Sequence, residues 1–219
     1  MPKLSDFRAV IFDMDGLVLD TETGYLKAWQ HAAAMLGVEL PDEFCQSMIG
    51  LHGEVIRHKL MAFCGGGFDL AKFSRLSTEH WREQASQFGI PVKTGFYTLL
   101  EQIKQQGLPY ALATNSAAHN ARYCLSQAGL DGVFELILTR DDVALGKPEP
   151  DIFLKAARLL NVAIEDCLVI EDSHPGITAA RKAGAFAALV PSVRPVSEEL
   201  VACCQLQADD LDFLAKILK

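Results

Sequence analysis

The sequence predicts an α/β protein whose mostly parallel sheet is covered by helices on both faces, with a small helical domain inserted after the first strand. Short apolar runs suited to buried strands alternate with helical patterns, and the connections between them are short. One stretch near the N-terminus breaks this alternation and carries helical patterns only. A chain of 219 residues with 50% hydrophobic content is long enough for a core domain that holds a smaller inserted one.

Five short apolar runs are predicted to form the sheet. Parallel strands are buried on both sides, so they read as nearly continuous apolar runs. Such a sheet with helical crossovers is Rossmann-like, and proteins of this architecture bind ligands at the carboxyl ends of the strands. The predicted strands are Arg8–Phe12, Pro109–Ala113, Leu136–Leu138, Cys167–Ile170 and Phe186–Val190.

Helical patterns connect the predicted strands. The apolar residues of the stretch 96–103 follow the i, i+3, i+4, i+7 spacing of one helix face, and Gly107 is predicted to end this helix. Prolines before residue 152 and a glycine at position 184 suggest where two later helices begin and end. The remaining helices are predicted at Tyr123–Leu130, Ile152–Leu160 and Thr178–Ala183.

Residues 20–92 are predicted to form a helical cap domain, and residues 1–19 and 93–219 the Rossmann-like core. The cap stretch has no convincing strand pattern, and its first helix has an apolar face that ends at Gly37. Gly65–Gly67 is predicted to be a loop, because three glycines destabilise a helix. An insertion directly after the first strand would lie over the strand ends like a lid.

Composition and charge argue against several classes of partner. The net charge is −8, with 28 acidic and 20 basic residues, whereas nucleic-acid binding needs a basic surface. No apolar stretch approaches the roughly 20 residues of a membrane span, and no signal peptide is visible. The six cysteines lack metal-binding spacing and are interpreted as reduced thiols. We therefore expect a cytoplasmic protein without a nucleic-acid or membrane partner, while the oligomeric state stays open.

The first polar cluster is Asp13-Met14-Asp15-Gly16, directly after the first predicted strand. Two carboxylates two residues apart can point into one site if the chain turns, and Gly16 permits such a turn. One carboxylate can then act as a nucleophile while the other transfers protons. The alternative is a turn with two solvated aspartates, and the motif alone does not decide between them.

Two further clusters offer groups that suit a phosphate. Thr114, Asn115 and Ser116 follow the second predicted strand and supply hydroxyl, amide and backbone N–H donors. They would equally suit the cap of a helix. Lys147 stands between a glycine and a proline, so a rigid turn could fix its positive charge, although most lysines are exposed on the surface.

The fourth cluster is Glu171-Asp172-Ser173, after another predicted strand. Carboxylate oxygens suit the hard coordination sphere of magnesium, but Asp172 or Ser173 could also cap the next helix. Together the four clusters supply a nucleophile, an acid/base, phosphate donors, a lysine and metal ligands. That is a complete set for phosphoryl transfer, so one shared site is favoured over four separate structural roles.

In this order the four clusters resemble the motifs of the haloacid dehalogenase superfamily. The helical insertion after the first motif resembles its subfamily of β-phosphoglucomutase-like phosphatases, and the resemblance spans residues 12–184. It implies an enzyme that requires Mg²⁺ and hydrolyses a small phosphorylated metabolite, such as a sugar phosphate. The reaction would pass through an aspartyl-phosphate intermediate.

The resemblance also implies roles for individual residues. Asp13 would be the nucleophile, and Asp15 would protonate the leaving oxygen and then activate water. The implied metal-binding residues are Asp13, Asp15 through its backbone carbonyl, Asp172 and the nearby Glu171. The implied substrate- or phosphate-binding residues are Thr114, Asn115, Ser116, Lys147 and, in the cap, His52, for which a surface histidine is an equal alternative.

Two other functions stay open beside the phosphatase. A β-phosphoglucomutase-type sugar phosphate mutase resembles this chain closely, but that family has a histidine where Tyr25 stands and an arginine near the position of Gly53. Their absence favours hydrolysis, although Arg57 is close enough on the cap to keep the mutase in view. A catalytically silent binding protein on the same fold is disfavoured, because the aspartates of the first and fourth clusters are all present.

Overall fold

The computed structural model describes residues 2–49 and 53–219. The chain forms two compact units, one made of Met1–Asp20 with Pro91–Lys219 and the other of Thr21–Ile90. We call the first the core unit and the second the helical unit. Their roles as catalytic core and cap stay predictions.

Strands and helices alternate in the core unit, whereas the described residues of the helical unit form helices and loops only. None of the described helices is long and apolar enough to span a bilayer. The strands are β1 Ala9–Phe12, β2 Tyr110–Ala113, β3 Ile137–Leu138, β4 Cys167–Glu171, β5 Phe186–Leu189 and β6 Leu206–Gln207. The helices are α1 Thr21–Ala34, α2 Asp42–Gln46, α3 Gly53–Cys64, α4 Leu70–Phe88, α5 Phe96–Gln105, α6 Ala118–Gln127, α7 Asp151–Leu159, α8 His174–Ala183, α9 Glu198–Cys203 and α10 Leu211–Ile217, with short 3₁₀ turns at Leu4–Asp6, Arg140–Asp142 and Ile164–Asp166.

The six strands form one parallel sheet in the order β3-β2-β1-β4-β5-β6, which confirms the predicted parallel architecture. Ile11 of β1 pairs with Ala111 of β2 on one side and with Val169 of β4 on the other. The order of strands along the chain therefore reverses beside β1. A crevice opens at such a reversal, at the carboxyl ends of the strands, and ligands bind there in open α/β sheets.

Helices cover both faces of the sheet, as predicted. Phe12 points to the face of α5, where its ring lies 5.8 Å from the ring of Phe96. The preceding residue, Ile11, points to the other face and shares a buried cluster with Phe153 of α7 and Ile177 of α8. Alternate residues of β1 are thus buried on opposite sides, which explains why the strand reads as an unbroken apolar run.

Two core helices begin earlier than their apolar patterns predicted. The backbone N–H of Ala118, at the start of α6, donates to the carboxylate of Asp141, a residue distant in the sequence, at 2.9 Å. Helix α8 begins at His174, because the Ser173 hydroxyl caps it by accepting from the N–H of Gly176 at 3.2 Å. The strand β6 was not predicted, since Leu206 and Gln207 do not form an apolar run.

The helical unit is held together by packing of α1 against α4. The Tyr25 ring of α1 stacks on Trp81 of α4, with ring centroids 5.1 Å apart and an interplanar angle of 9°. A Cβ at Gly24 would lie 2.9 Å from the Trp81 indole nitrogen, so the close approach of the helices requires glycine there. A separate buried cluster includes Leu60 of α3 and Phe73 of α4.

Candidate active site

Asp13 directly follows β1 and lies at the point where the strand order reverses. Its backbone N–H donates to the carbonyl of Ile170 in β4 at 3.0 Å, and its side chain is buried. The chain then turns at Gly16, whose φ of 83° is a left-handed conformation that favours glycine. A Cβ at Gly16 would overlap the Asp172 carboxylate, so the turn also brings the first and fourth clusters together.

Lys147 is buried and its ammonium group lies beside Asp13. The Nζ atom donates to Asp13 Oδ1 at 2.5 Å, to Glu171 Oε1 at 2.5 Å and to the carbonyl of Ala113 at 2.8 Å. These three acceptors use all three N–H donors of the ammonium group. The alternative of an ordinary surface lysine is wrong, since only 8% of the residue is exposed.

Thr114 and Ser116 lie around Asp15. The Ser116 hydroxyl donates to Asp15 Oδ2 at 2.8 Å, and the Thr114 hydroxyl donates to the same oxygen at 3.2 Å. The Thr114 hydroxyl in turn accepts from the backbone N–H of Ser116 at 3.0 Å. The two hydroxyls therefore fix the orientation of the Asp15 carboxyl group, even though the residues are about a hundred positions apart in the sequence.

Glu171 and Asp172 complete the cluster, and Glu171 is completely buried. Glu171 Oε2 accepts from the backbone N–H of Asp172 at 3.2 Å and from the Ser173 hydroxyl at 3.1 Å, while its other oxygen accepts from Lys147. A Cβ at Gly176 would overlap the Glu171 carboxylate, which explains the glycine in the first turn of α8. Both oxygens of Glu171 therefore have protein donors.

Three buried carboxylates offer oxygens to a metal ion. Asp13, Glu171 and Asp172 each have one carboxylate oxygen within 4.8 Å of the others. A set made only of carboxylate oxygens fits a hard divalent cation such as Mg²⁺ or Ca²⁺ and does not suit a soft metal. The predicted contribution of the Asp15 backbone carbonyl stays a prediction.

Negative charge is in excess around Asp13. Burial raises the pKa of the Asp13 carboxyl well above its ordinary value; the Lys147 ammonium opposes the rise, and the charges of Glu171 and Asp15 reinforce it. Burial alone would lower the pKa of Lys147, but the adjacent carboxylates of Asp13 and Glu171 outweigh it and the pKa is raised. A bound divalent cation would relieve this imbalance and keep Asp13 ionised.

The remaining predicted residues have other positions. Asn115 was predicted to donate to a phosphate, but both polar atoms of its side chain bind the backbone of Lys147. His52 lies outside the described residues, and its role stays a prediction. His174 is the first residue of α8.

The segment 139–146, which leads to Lys147, is hydrogen-bonded to the turn after β2. The sequence did not predict this contact. The Arg140 guanidinium donates to the carbonyls of Val143 at 2.9 Å and Ala144 at 3.1 Å, while its backbone N–H donates to the carbonyl of Ser116 at 3.0 Å. Thr139 opens this segment in a capping box with Asp142. Its backbone N–H donates to Asp142 Oδ2 at 2.9 Å, and its hydroxyl donates to the same oxygen at 2.7 Å. A threonine followed three residues later by an acid is a sequence signal for such a turn.

Comparison with known proteins gives the family. Residues 10–190 match the haloacid dehalogenase-like hydrolase model. The chain is 31% identical to β-phosphoglucomutase of Bacillus subtilis (strain 168) over 195 residues, which cover 86% of this chain and 85% of that protein. It is 32% identical to hexitol phosphatase A of Escherichia coli (strain K12) over 180 residues, covering 81% and 80%. The structure of a haloacid dehalogenase family hydrolase from Deinococcus radiodurans R1, with bound phosphate and sodium, matches with a TM-score of 0.82 and 26% identity over 95% of this chain and 93% of that one. The chain belongs to the haloacid dehalogenase-like hydrolase family.

Proposed function

We propose that the protein is a Mg²⁺-dependent phosphatase that hydrolyses a small phosphorylated metabolite of the sugar phosphate class. The observation that carries this proposal is the buried contact of the Lys147 ammonium with the Asp13 carboxylate at the reversal point of the sheet. A carboxylate paired with a fixed cation, beside a second carboxyl group and a metal-ligating cluster, supports nucleophilic attack on a phosphate monoester. The names of relatives that include a hexitol phosphatase agree with this class of substrate.

Asp13 and Asp15 divide the chemistry between them. A carboxylate oxygen of Asp13 attacks phosphorus, the bond from phosphorus to the ester oxygen breaks, and Asp15 gives its proton to that oxygen. Asp15 is then ionised and takes a proton from the water that attacks the aspartyl-phosphate. Inorganic phosphate leaves and Asp13 is regenerated. The hydroxyls of Thr114 and Ser116 hold the Asp15 carboxyl in the orientation that both proton transfers need.

Lys147 makes the attack of an anion on an anion feasible. Two unit charges 4 Å apart repel by about 4 kcal/mol at an effective dielectric constant of about 20, and a phosphate dianion doubles this cost. The Lys147 ammonium already lies 2.5 Å from Asp13 and cannot withdraw to the surface, because its three acceptors surround it. We propose that it exchanges one of these bonds for a phosphoryl oxygen.

The acidic cluster would hold the metal ion. Enzymes of this family generally use a divalent metal, and we propose Mg²⁺ bound by Asp13 and Asp172, with the backbone carbonyl of Asp15 and with Glu171 nearby. A bound Mg²⁺ supplies charge neutralisation to the transferring phosphoryl group. Asp13 has two roles in this scheme, and its raised pKa without a cation explains why ionisation would depend on the metal.

A phosphate-release screen tests the proposal. Purified protein is incubated with a panel of phosphorylated sugars, sugar alcohols and nucleosides, with Mg²⁺ or with EDTA. We expect release from at least one sugar phosphate, loss of release in EDTA, and recovery with added Mg²⁺. The Asp13→Asn variant is the matched control, because it keeps the shape of the side chain and removes the nucleophile. Equal release by wild type and Asp13→Asn would refute the assignment.

The sugar phosphate mutase is the second candidate, and the 31% identity to a β-phosphoglucomutase favours it. The residue Tyr25 argues against it, because its ring is stacked on Trp81 and a tyrosine transfers protons less readily than a histidine near neutral pH. Gly53 begins α3 without a side chain that could bind a second phosphate. Arg57, one turn further on, is a basic residue that lines a groove of about 670 Å³ within the helical unit.

One assay distinguishes the phosphatase from the sugar phosphate mutase. β-Glucose 1-phosphate is supplied with a trace of the 1,6-bisphosphate, and glucose 6-phosphate and inorganic phosphate are measured together. A phosphatase gives inorganic phosphate in proportion to substrate consumed, whereas a mutase gives glucose 6-phosphate with little phosphate. If glucose 6-phosphate dominates, the Arg57→Ala variant tests whether this arginine binds the second phosphate, since its loss would then raise the KM for the bisphosphate.

A further inference from the structure

We propose that Asn115 is a positioning residue that acts through Lys147. Its side-chain amide holds the backbone of Lys147 and thereby sets where the Lys147 ammonium lies against Asp13. This inference rests on the proposed function, in which Asp13 attacks phosphorus and Lys147 offsets the charge. It changes the role predicted for Asn115, which was a donor to the phosphate.

The contact is a two-point hydrogen bond across 32 positions of the sequence. Asn115 Nδ2 donates to the carbonyl of Lys147 at 3.0 Å, and the backbone N–H of Lys147 donates to Asn115 Oδ1 at 2.9 Å. Two bonds in opposite directions fix both the position and the rotation of the Lys147 peptide groups. An amide is suited to this, because it carries a donor and an acceptor side by side.

The neighbouring glycine gives independent support for a close fit. A Cβ at Gly146 would lie 2.6 Å from Asn115 Oδ1 and 2.7 Å from the Cδ of Arg140. Contacts below 3.0 Å do not occur with a real Cβ, so one of these groups would have to move. The φ of Gly146 lies outside the left-handed region, so its lack of a side chain serves the approach of Asn115 rather than an unusual backbone conformation.

The bond matters because Lys147 lies at the end of a loop. Arg140 already ties the carbonyls of Val143 and Ala144, but among the described contacts only Asn115 holds the backbone of Lys147 through a side chain. Four methylene groups separate the ammonium from that backbone. If the backbone drifts, the ammonium cannot keep its bonds to both Asp13 and Glu171. A displacement of about 1 Å in a catalytic group can lower a rate by roughly a hundredfold.

A direct phosphate contact predicts a different result from a positioning role. One N–H of the Asn115 amide is left after the bond to Lys147, and a substrate-binding role would have to use it. Loss of a substrate contact would raise KM, or the inhibition constant of inorganic phosphate. Loss of the Lys147 position would lower the rate of phosphoryl transfer and leave ground-state binding nearly unchanged.

A double-mutant cycle between Asn115→Ala and Gly146→Ala tests the proposal. Neither change removes a group that reacts. We expect each to lower kcat roughly ten- to a hundredfold, with KM within about twofold of wild type. We expect the double variant to be no slower than the slower single variant, because both changes release the same contact. Asn120→Ala, the same substitution inside α6, is the matched control and should keep wild-type kcat.

Single-turnover kinetics distinguish positioning from a loss of folded protein. The rate of phosphoenzyme formation with enzyme in excess does not depend on the active fraction, so a merely destabilised variant would keep it. We expect it to fall with kcat in both variants. If Asn115→Ala does not fold, Gly146→Ala alone carries the same expectation. The proposal is overturned if KM rises while kcat is kept, if the two effects multiply, or if neither variant differs from wild type. Inactivity of the wild type towards every phosphate ester would instead refute the proposed function.

Discussion

The core unit fixes its polar side chains by bonds between distant parts of the sequence, whereas the helical unit is held by ring stacking between two helices. Lys147 bonds to Asp13 across 134 positions, and the distance is 2.5 Å. In the helical unit the Tyr25 and Trp81 rings stack with centroids 5.1 Å apart. A small displacement breaks a hydrogen bond to a charged group, whereas two stacked rings stay in contact after a displacement of the same size. Substitutions in the core unit should therefore change activity most, and those in the helical unit should change stability.

The largest effect on activity is expected from Asp13→Asn. Turnover should fall by at least about 10⁴-fold, because the amide does not attack phosphorus. Stability without metal should be kept or increased. The folded state raises the Asp13 pKa above 3.8, so it binds this proton more tightly than the unfolded state does. The wild type therefore loses stability as pH rises from 3.8 through the raised pKa, and the neutral amide avoids that loss.

Thermal unfolding in EDTA at several pH values measures the stability of the wild type and of Asp13→Asn without metal. The Tm difference between Asp13→Asn and wild type should grow as pH rises through that window and then stay constant. A variant that unfolds at lower temperature than wild type near neutral pH would contradict the account, because it would mean that the ionised carboxylate stabilises the metal-free fold.

Lys147→Ala should reduce both activity and stability, so it is an exception to the contrast between the two units. The change leaves the buried carboxylates of Asp13 and Glu171 without their cation, which costs about 3–5 kcal/mol of unfolding free energy. Lys182→Ala is the control, since its ion pair with Glu149 at 2.7 Å is exposed and should contribute about 0–1 kcal/mol. Urea unfolding compares the two. Equal losses would show that burial does not govern these ion pairs.

Much of the core unit could be predicted from the sequence because its signals are local. Each strand is a short apolar run, and each polar cluster follows one directly or, for Lys147, lies close after one. The shared edge of a parallel sheet therefore allowed Asp13, Asp15 and Lys147 to be predicted as one site. What could not be predicted depends on contacts across the sequence. The start of α6 depends on the Asp141 carboxylate, and the partner of Asn115 depends on where the loop before Lys147 returns.

The helical unit was predicted only as helices. The apolar pattern of α1 indicated a buried face, but the stacking of Tyr25 on Trp81 depends on how α1 and α4 are aligned, and no local pattern encodes that. The strand β6 was missed for a related reason, since Leu206 forms a strand only by pairing beside Ala188 of β5. Residues that function through a local turn are therefore easier to predict than residues that function through packing.

Trp81→Ala should have the largest effect on stability within the helical unit. It removes the ring that stacks on Tyr25 and should cost about 3–5 kcal/mol. Gly24→Ala should cost about 1–3 kcal/mol, because its Cβ would press on the same indole. Phe88→Ala is the control, since 72% of Phe88 is exposed, and it should change stability by less than about 0.5 kcal/mol. Urea unfolding measures all three, and an unstable Phe88→Ala variant would show that exposure is a poor guide in this unit.

The smallest effect is expected from the histidine pair of the helical unit. His31 of α1 and His80 of α4 stack with ring centroids 3.9 Å apart. Burial and the adjacent His31 lower the His80 pKa below 6.5, and the carboxylate of Glu83 opposes this in part. The folded state thus binds this proton less tightly than the unfolded state, so its contribution to stability is present above pH 6.5 and is lost as pH falls from 6.5 through the lowered pKa.

Tryptophan fluorescence can follow this loss in the helical unit alone, because both tryptophans of the chain, Trp29 and Trp81, lie in it. The unfolding midpoint of the wild type should be lower at about pH 5.5 than at about pH 8. This decrease should be smaller in His80→Gln, which has no titrating ring. His58→Gln, at an exposed position of α3, is the control and should keep the wild-type pH dependence. If His80→Gln and wild type lose stability in parallel, the stacked pair does not sense protons, and packing alone accounts for the stability of this unit.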